Sequence, residues 1–201
     1  MRLSFSRINK NNITPYLEQV APKQTEFKST KALYSYAKKR ITEVAKKIDR
    51  EYLVVADTKN NKILCEKLGN KYSVEMEDVL KKIPKDNKNI AILHGHIGKA
   101  SPLSMADCYF LCKNKFDKIV AFDKKGRFSM MQILPQTNLE KVTPIFKWYA
   151  IFGPNCVPNS FFGNLKMIIP NNYDKYCDKW LKNVAAPKHN VRYVSNMFAK
   201  K

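Results

Sequence analysis

From Ser29 onward, Leu33, Ala37, Ile41, Val44 and Ile48 recur at three- and four-residue intervals, the spacing of a helix with one apolar face. Ser29 or Thr30 can cap its start. Its other face reads as Lys38, Lys39, Arg40, Lys46 and Lys47, a solvated basic surface. The pattern then changes period. Glu51-Tyr52-Leu53-Val54-Val55-Ala56-Asp57 is a short apolar run that predicts a buried strand. Lys59-Asn60-Asn61-Lys62 makes a turn, and Ile63 to Glu66 a return strand. A short helix is expected after Ser73, with Val74, Val79, Leu80 and Ile83 as its apolar side, ending at Pro84–Lys88. Ile90 to Leu93 predicts a third strand that runs straight into His94.

A further helix begins at Ser104 and carries Cys108, Phe110, Leu111 and Cys112. Ile119–Phe122 and Phe128–Met131 flank Asp123-Lys124-Lys125-Gly126-Arg127, a hairpin with glycine in its turn. After Pro135 the chain turns aromatic, with Phe146, Trp148, Tyr149, Phe152, Phe161 and Phe162 among Pro154, Pro158 and Gly163. Aromatics are scarce in disordered chains, so this region reads as folded. Asn172 is a candidate cap for a helix bearing Tyr173, Tyr176, Cys177, Trp180, Leu181 and Val184, and His189 to Phe198 adds a candidate strand. The order of elements predicts an α/β (α+β) fold, a central mixed sheet flanked by helices. Residues 1–49 form a basic N-terminal extension with one amphipathic helix, 50–135 the core, and 136–201 an aromatic, basic extension packed on it.

Charge adds a partner question. The 201 residues hold 37 Lys and Arg against 17 Asp and Glu, a net charge of +20, and the two flanks carry +14 of it. A surplus of this size points to an acidic partner, an anionic surface or nucleic acid; a solubilising lysine surface accounts for it equally well. No stretch approaches the ~18 apolar residues of a membrane span. Met1-Arg2-Leu3-Ser4-Phe5-Ser6-Arg7 has no apolar signal core, and the five scattered cysteines read as reduced thiols, so a cytoplasmic protein is expected.

The chemistry concentrates in one stretch. Only three histidines occur, and two of them stand in His94-Gly95-His96, followed by Ser104 and Asp107 in the spacing His-x-His-x7-Ser-x2-Asp. On a strand, residues two apart face the same side, so both imidazoles can reach one ion, and Gly95 lets the backbone bend between them. Asp107 lies about one turn into the next helix. Two imidazoles and a carboxylate leave one position of a zinc tetrahedron open. Ser104 and Asp107 alone would be an ordinary helix start; a capped helix also holds a ligand rigidly.

This spacing resembles the signature of the JAMM (MPN+ or JAB) metalloproteases. The resemblance covers about Glu51 to Met131 and looks closest to the compact bacterial and phage branch with RadC-type domains. In that branch a glutamate opens a hairpin, as Glu51 does before Tyr52–Val55, and many members carry proline after the second histidine, where this chain has Ile97. The resemblance implies a JAB-like (cytidine-deaminase-like) core and one Zn2+ per chain held by His94, His96 and Asp107. It implies Glu51 as general base on the zinc-bound water, and Ser104 as helper of the oxyanion. Glu66, Glu75 and Glu77 are the other acids to weigh as the base. The activity implied is hydrolysis of a peptide or isopeptide bond, with a protein or peptide substrate, a ubiquitin-like conjugate among the candidates, and no membrane partner. The alternative is a JAB-like scaffold without catalysis, whose basic flanks contact nucleic acid.

Other chemistries lack their residues. A deaminase would need His-x-Glu with Pro-Cys-x-x-Cys, and a helical zincin His-Glu-x-x-His; neither occurs. Cys108 and Cys112 read as core, and His189 as a surface residue of a basic tail.

Overall fold

The computed structural model describes residues 25–71, 73–97, 102–152 and 173–198. Phe161, Phe162, Pro154, Pro158, Gly163 and the expected cap Asn172 lie outside them, as do most of residues 1–28. The helix read from Ser29 is α1, Thr30–Ile48, and the Ser29 side chain accepts a hydrogen bond from the Ala32 amide at 3.2 Å. Strand β1, Tyr52–Asp57, pairs antiparallel with β2, Lys62–Leu68. A short helix α2, Glu77–Lys81, precedes β3, Ile90–His96. Helix α3, Met105–Asn114, leads to β4, Lys118–Asp123, and β5, Phe128–Ile133. The C-terminal region supplies α4, Leu139–Phe152, and α5, Tyr173–Trp180. A single wide π turn, Leu181–Ala185, then links α5 to α6, Ala186–His189, and strand β6, Val191–Ser195.

The six strands form one mixed sheet in the order β2-β1-β3-β4-β5-β6. Only β3 and β4 pair in parallel, and α3 makes the crossover between them. Alternation along the strands sorts the core into two layers. Leu53, Val55, Ile90, Ile92, Ile119, Ala121 and Met131 pack with Cys108, Leu111, Phe146 and Trp180 of the helices on one face. Tyr52, Val54, Ala56, Ala91, Leu93, Val120 and Phe122 pack with Leu33, Ala37, Ile41 and Val44 of α1 on the other. Such a β3, covered on both sides, explains its unbroken apolar run. The sheet and the first of these layers both continue past residue 135, since β6 pairs with β5 and Phe146, Trp180 and Tyr193 belong to the same core. Cys108 and Cys112 are both buried in that layer, and burial pushes their thiols up, Cys112 to about 12. Cys65, Cys108 and Cys112 form no disulfide. Among the described residues, no helix is long and apolar enough to cross a membrane.

Two local readings change. Arg40 is not part of the solvated face of α1 but is 4% exposed. Its Nη2 donates to the Tyr52 hydroxyl at 3.1 Å, its Nε faces Glu66 Oε2 at 3.4 Å, and Tyr52 donates to the same carboxylate. Helical periodicity marks a lysine-rich face but not which cation finds a buried acid. Gly95 is also needed for a different reason. A Cβ there would stand 2.7 Å from Ile41 Cγ2 of α1, so the glycine lets the helix approach the sheet. Gly126, by contrast, has φ +75° in the β4–β5 turn, where a side chain would be strained.

Gly95→Ala is therefore expected to destabilise the fold by about 1–3 kcal/mol through overpacking, read as a shift in the urea midpoint. In an Ile41→Ala background, which removes the clashing methyl, the same substitution should cost much less; an undiminished cost would refute the clash.

Candidate metal centre

The alternation that sends Gly95 toward α1 sends His94 and His96 to the opposite face, beside Leu53 and Ile92. Leu53 pairs with His94, so continuing the antiparallel register sets Glu51 opposite His96. Glu51 itself lies just before β1. Its amide donates to Asn70 O at 2.8 Å and its carbonyl accepts from the Gly69 amide at 2.8 Å, which prolongs the β1–β2 pairing and fixes the residue.

Asp107 arrives on α3, whose start is doubly held. Ser104 and Asp107 form a reciprocal capping box: the Asp107 amide donates to Ser104 Oγ at 3.1 Å and the Ser104 amide donates to Asp107 Oδ2 at 2.8 Å. One residue earlier, the Leu103 amide donates to Oγ of the fully buried Ser129 on β5 at 2.7 Å. Ser129 is a positioning residue that the sequence reading passed over; its only signal was a small polar residue inside the apolar strand Phe128–Met131.

The result is a compact donor set. His94 Nε2 and His96 Nε2 face each other at 2.9 Å, Asp107 Oδ1 lies 3.4 Å from His94 Nε2, and Oδ2 lies 3.5 Å from His96 Nε2. One ligand atom from each of the three side chains falls within 4.8 Å of the others. With zinc–nitrogen bonds of about 2.0–2.1 Å, neighbouring ligands of a tetrahedral ion stand about 3.3 Å apart, so the triangle matches one face of such a site. Two imidazole nitrogens at 2.9 Å cannot both point lone pairs at each other without a proton or a cation between them. The donor set therefore fits zinc.

The neighbouring acids are pushed apart in character. Burial alone would raise the Asp107 carboxyl, but the charges and hydrogen bonds of His94 and His96 overcome it and hold the group well below the ordinary range. Glu51 moves the other way: burial raises it, outweighing the opposing pull of His94 and His96, and Asp107 adds to the rise. A pair of carboxylates separated in this way is the usual arrangement for dividing ligand and acid–base roles. The other acids are elsewhere. Glu66 meets Arg40 of α1, Glu75 faces Lys67 at 3.8 Å, and Glu77 accepts from Lys81 at 3.2 Å. Glu51, His94, His96, Ser104 and Asp107 all line one cavity of about 340 Å3, and those three glutamates do not.

Ser104 is brought to the site, but its single hydroxyl proton goes to Asp107 Oδ2 at 2.7 Å. In this arrangement it orients the Asp107 carboxylate. His189 lies far along the chain on α6, where burial and then Lys188 lower its pKa. Comparisons with family models, with curated proteins and with solved structures find no match for this chain. The case for its chemistry rests on the residues themselves.

The raised carboxyl of Glu51 has a signed consequence. A glutamate whose folded pKa exceeds its unfolded one favours folding most below the unfolded value, and that contribution is lost as pH rises through the folded value. Glu51→Gln should thus match or exceed wild-type thermal stability at pH 7, and the advantage should shrink as pH falls through the raised value toward the ordinary glutamate value of 4.5. Melting curves across that range check this, and a variant less stable at pH 7 than at pH 4, relative to wild type, would contradict it.

Proposed function

We propose that this chain is a zinc-dependent hydrolase, JAB-like in build, that cleaves a peptide or isopeptide bond. The carrying observation is the meeting of three ligand atoms from His94, His96 and Asp107 with a separate, burial-raised carboxyl of Glu51 in one open cavity. The order of elements also supports it: a hairpin opened by the glutamate, a strand bearing both histidines, and a helix starting at the serine and aspartate.

Zinc, when bound, supplies a Lewis acid toward water and the scissile carbonyl. The protein's own part is positional and protolytic. His94 and His96 present Nε2 and Asp107 presents a carboxylate oxygen as ligands. The Glu51 carboxylate accepts the proton lost by the attacking water and returns it to the amine nitrogen as the carbon–nitrogen bond breaks. Ser104, by donating to Asp107 Oδ2 and closing the helix cap, keeps the third ligand aimed at the two imidazoles. Hydrogen bonds to a ligand of this kind commonly change metal affinity by about 10–100-fold.

Metal analysis of the purified protein should give one zinc per chain, lost in His94→Ala and Asp107→Ala and bound about 10–100-fold more weakly in Ser104→Ala. Glu51→Gln should keep the zinc while hydrolysis falls by about two to four orders of magnitude. A wild-type protein that binds no zinc would refute the reading, and full activity in Glu51→Gln would remove that residue from the chemistry.

The outward lysines of α1 support a second reading, which is compatible with the first. Lys38, Lys39, Lys46 and Lys47 are all exposed and form a basic face for an acidic partner or nucleic acid. On that reading, binding to an oligonucleotide should weaken steeply between low and physiological salt; binding insensitive to salt would dismiss it.

A further inference from the structure

The cavity has a part that the proton chemistry does not use. Beyond the ligands it is walled by Val74, Met76 and Phe110 and floored by Leu53, Ile92 and Ile119. Its described lining holds four ionisable side chains, Glu51, His94, His96 and Asp107, the residues already assigned to the metal and proton chemistry. Despite the net charge of +20, no lysine or arginine is among the described residues that line it. The two remaining polar lining side chains already have partners: Ser104 donates to Asp107 Oδ2 at 2.7 Å, and Ser73 accepts from Asn70 Nδ2 at 3.1 Å.

The wall is built in place. Asn70 pins the turn by three contacts: its amide donates to Ser73 O at 2.9 Å, its Oδ1 accepts from the Ser73 amide at 2.9 Å, and its Nδ2 donates to Ser73 Oγ. Gly69 lets the following residues settle onto the sheet edge, since a Cβ there would stand 2.3 Å from Ser73 O and 2.6 Å from Val74 Cγ2. On the other side Phe110 is steadied by Phe116, ring centroids 6.0 Å apart. Met76 adds a side chain that adapts to shape.

We propose that this region is a subsite for an uncharged apolar side chain. The substrate is then a polypeptide with a leucine-, methionine- or phenylalanine-like residue beside the bond that is cut. The inference rests on the hydrolase reading for the words "bond that is cut"; the subsite itself rests on the lining alone. A charged substrate side chain would lose its water there and, among the described lining residues away from the His94–His96–Asp107 cluster and Glu51, find no charged partner. A glycine would leave the apolar lining exposed to solvent.

Two measurements test it separately from the chemistry. In the first, the full chain with [13C]methyl-methionine is titrated with acetyl-leucinamide, acetyl-glycinamide and acetyl-aspartamide, both without metal and with one equivalent of zinc. The Met76 methyl signal, assigned with Met76→Leu, should move with the leucine compound and stay still with the other two. In the second, the zinc-loaded protein digests a randomised peptide library read by mass spectrometry. Cleavage should be enriched about tenfold or more beside Leu, Met or Phe over Gly, Asp or Lys. Met76→Glu, with unchanged zinc content as the check on folding, should shift that enrichment toward Lys. A shift of Met76 without any cleavage would sustain the subsite and refute the hydrolase. Cleavage indifferent to the neighbouring residue would sustain the hydrolase and overturn the subsite. A Met76 signal unmoved by the leucine compound overturns the subsite whatever the digest shows.

Discussion

Everything at the site depends on β3 being covered on both faces. A strand in that position must alternate what it offers to each side, and His94-Gly95-His96 does so. The glycine admits Ile41 of α1 on one side, and the imidazoles converge on the other. If α1 stood further away, the start of β1, where Glu51 stands, would have no firm backing. Arg40, Tyr52 and Glu66 reinforce that backing directly behind the catalytic candidate, because Tyr52 is the residue after Glu51 and points the other way. The polar cluster on one face and the paired imidazoles on the other are thus consequences of one strand register.

The mixed sheet and most of its elements were legible because their signals are local. The helix from Ser29, the β1–β2 hairpin, the turn at Gly126 and the cap at Ser104 each follow from periodicity or turn chemistry within a few residues. The convergence of His94, His96 and Asp107 was legible for a similar reason: a strand puts residues two apart on one face, and a cap places Asp107 one turn into a helix. What escaped depends on partners distant in sequence. Arg40 looked like one more lysine-face cation because Glu66 stands 26 positions away. Ser129 gave little sign of anchoring Leu103, again 26 residues off. The apolar wall of Val74, Met76 and Phe110 combines a loop with a helix that only the tertiary fold brings together.

The charge of the molecule and the character of its cavity separate cleanly. Lysines spread over the outer face of α1, while the described lining beside the ligands has no basic residue. On the proposed reading, electrostatic attraction would act on approach, at the range of a Debye length, and selection at the cavity would act through shape and desolvation. The two need not concern the same part of a substrate, or the same partner.

The capping box at Ser104 has one more consequence. Asp107 Oδ2 closes the first turn of α3 with the same carboxylate that would hold a metal, and Ser104 contributes both its amide and its hydroxyl to that one oxygen. Helix starts fray readily because their first amides have no partner within the helix. Here fraying of the helix start and separation of Asp107 from His94 and His96 would be the same movement. A cation in the site would tighten the helix start, and a loosened helix start would release the cation, so secondary structure and metal affinity are coupled through a single carboxylate.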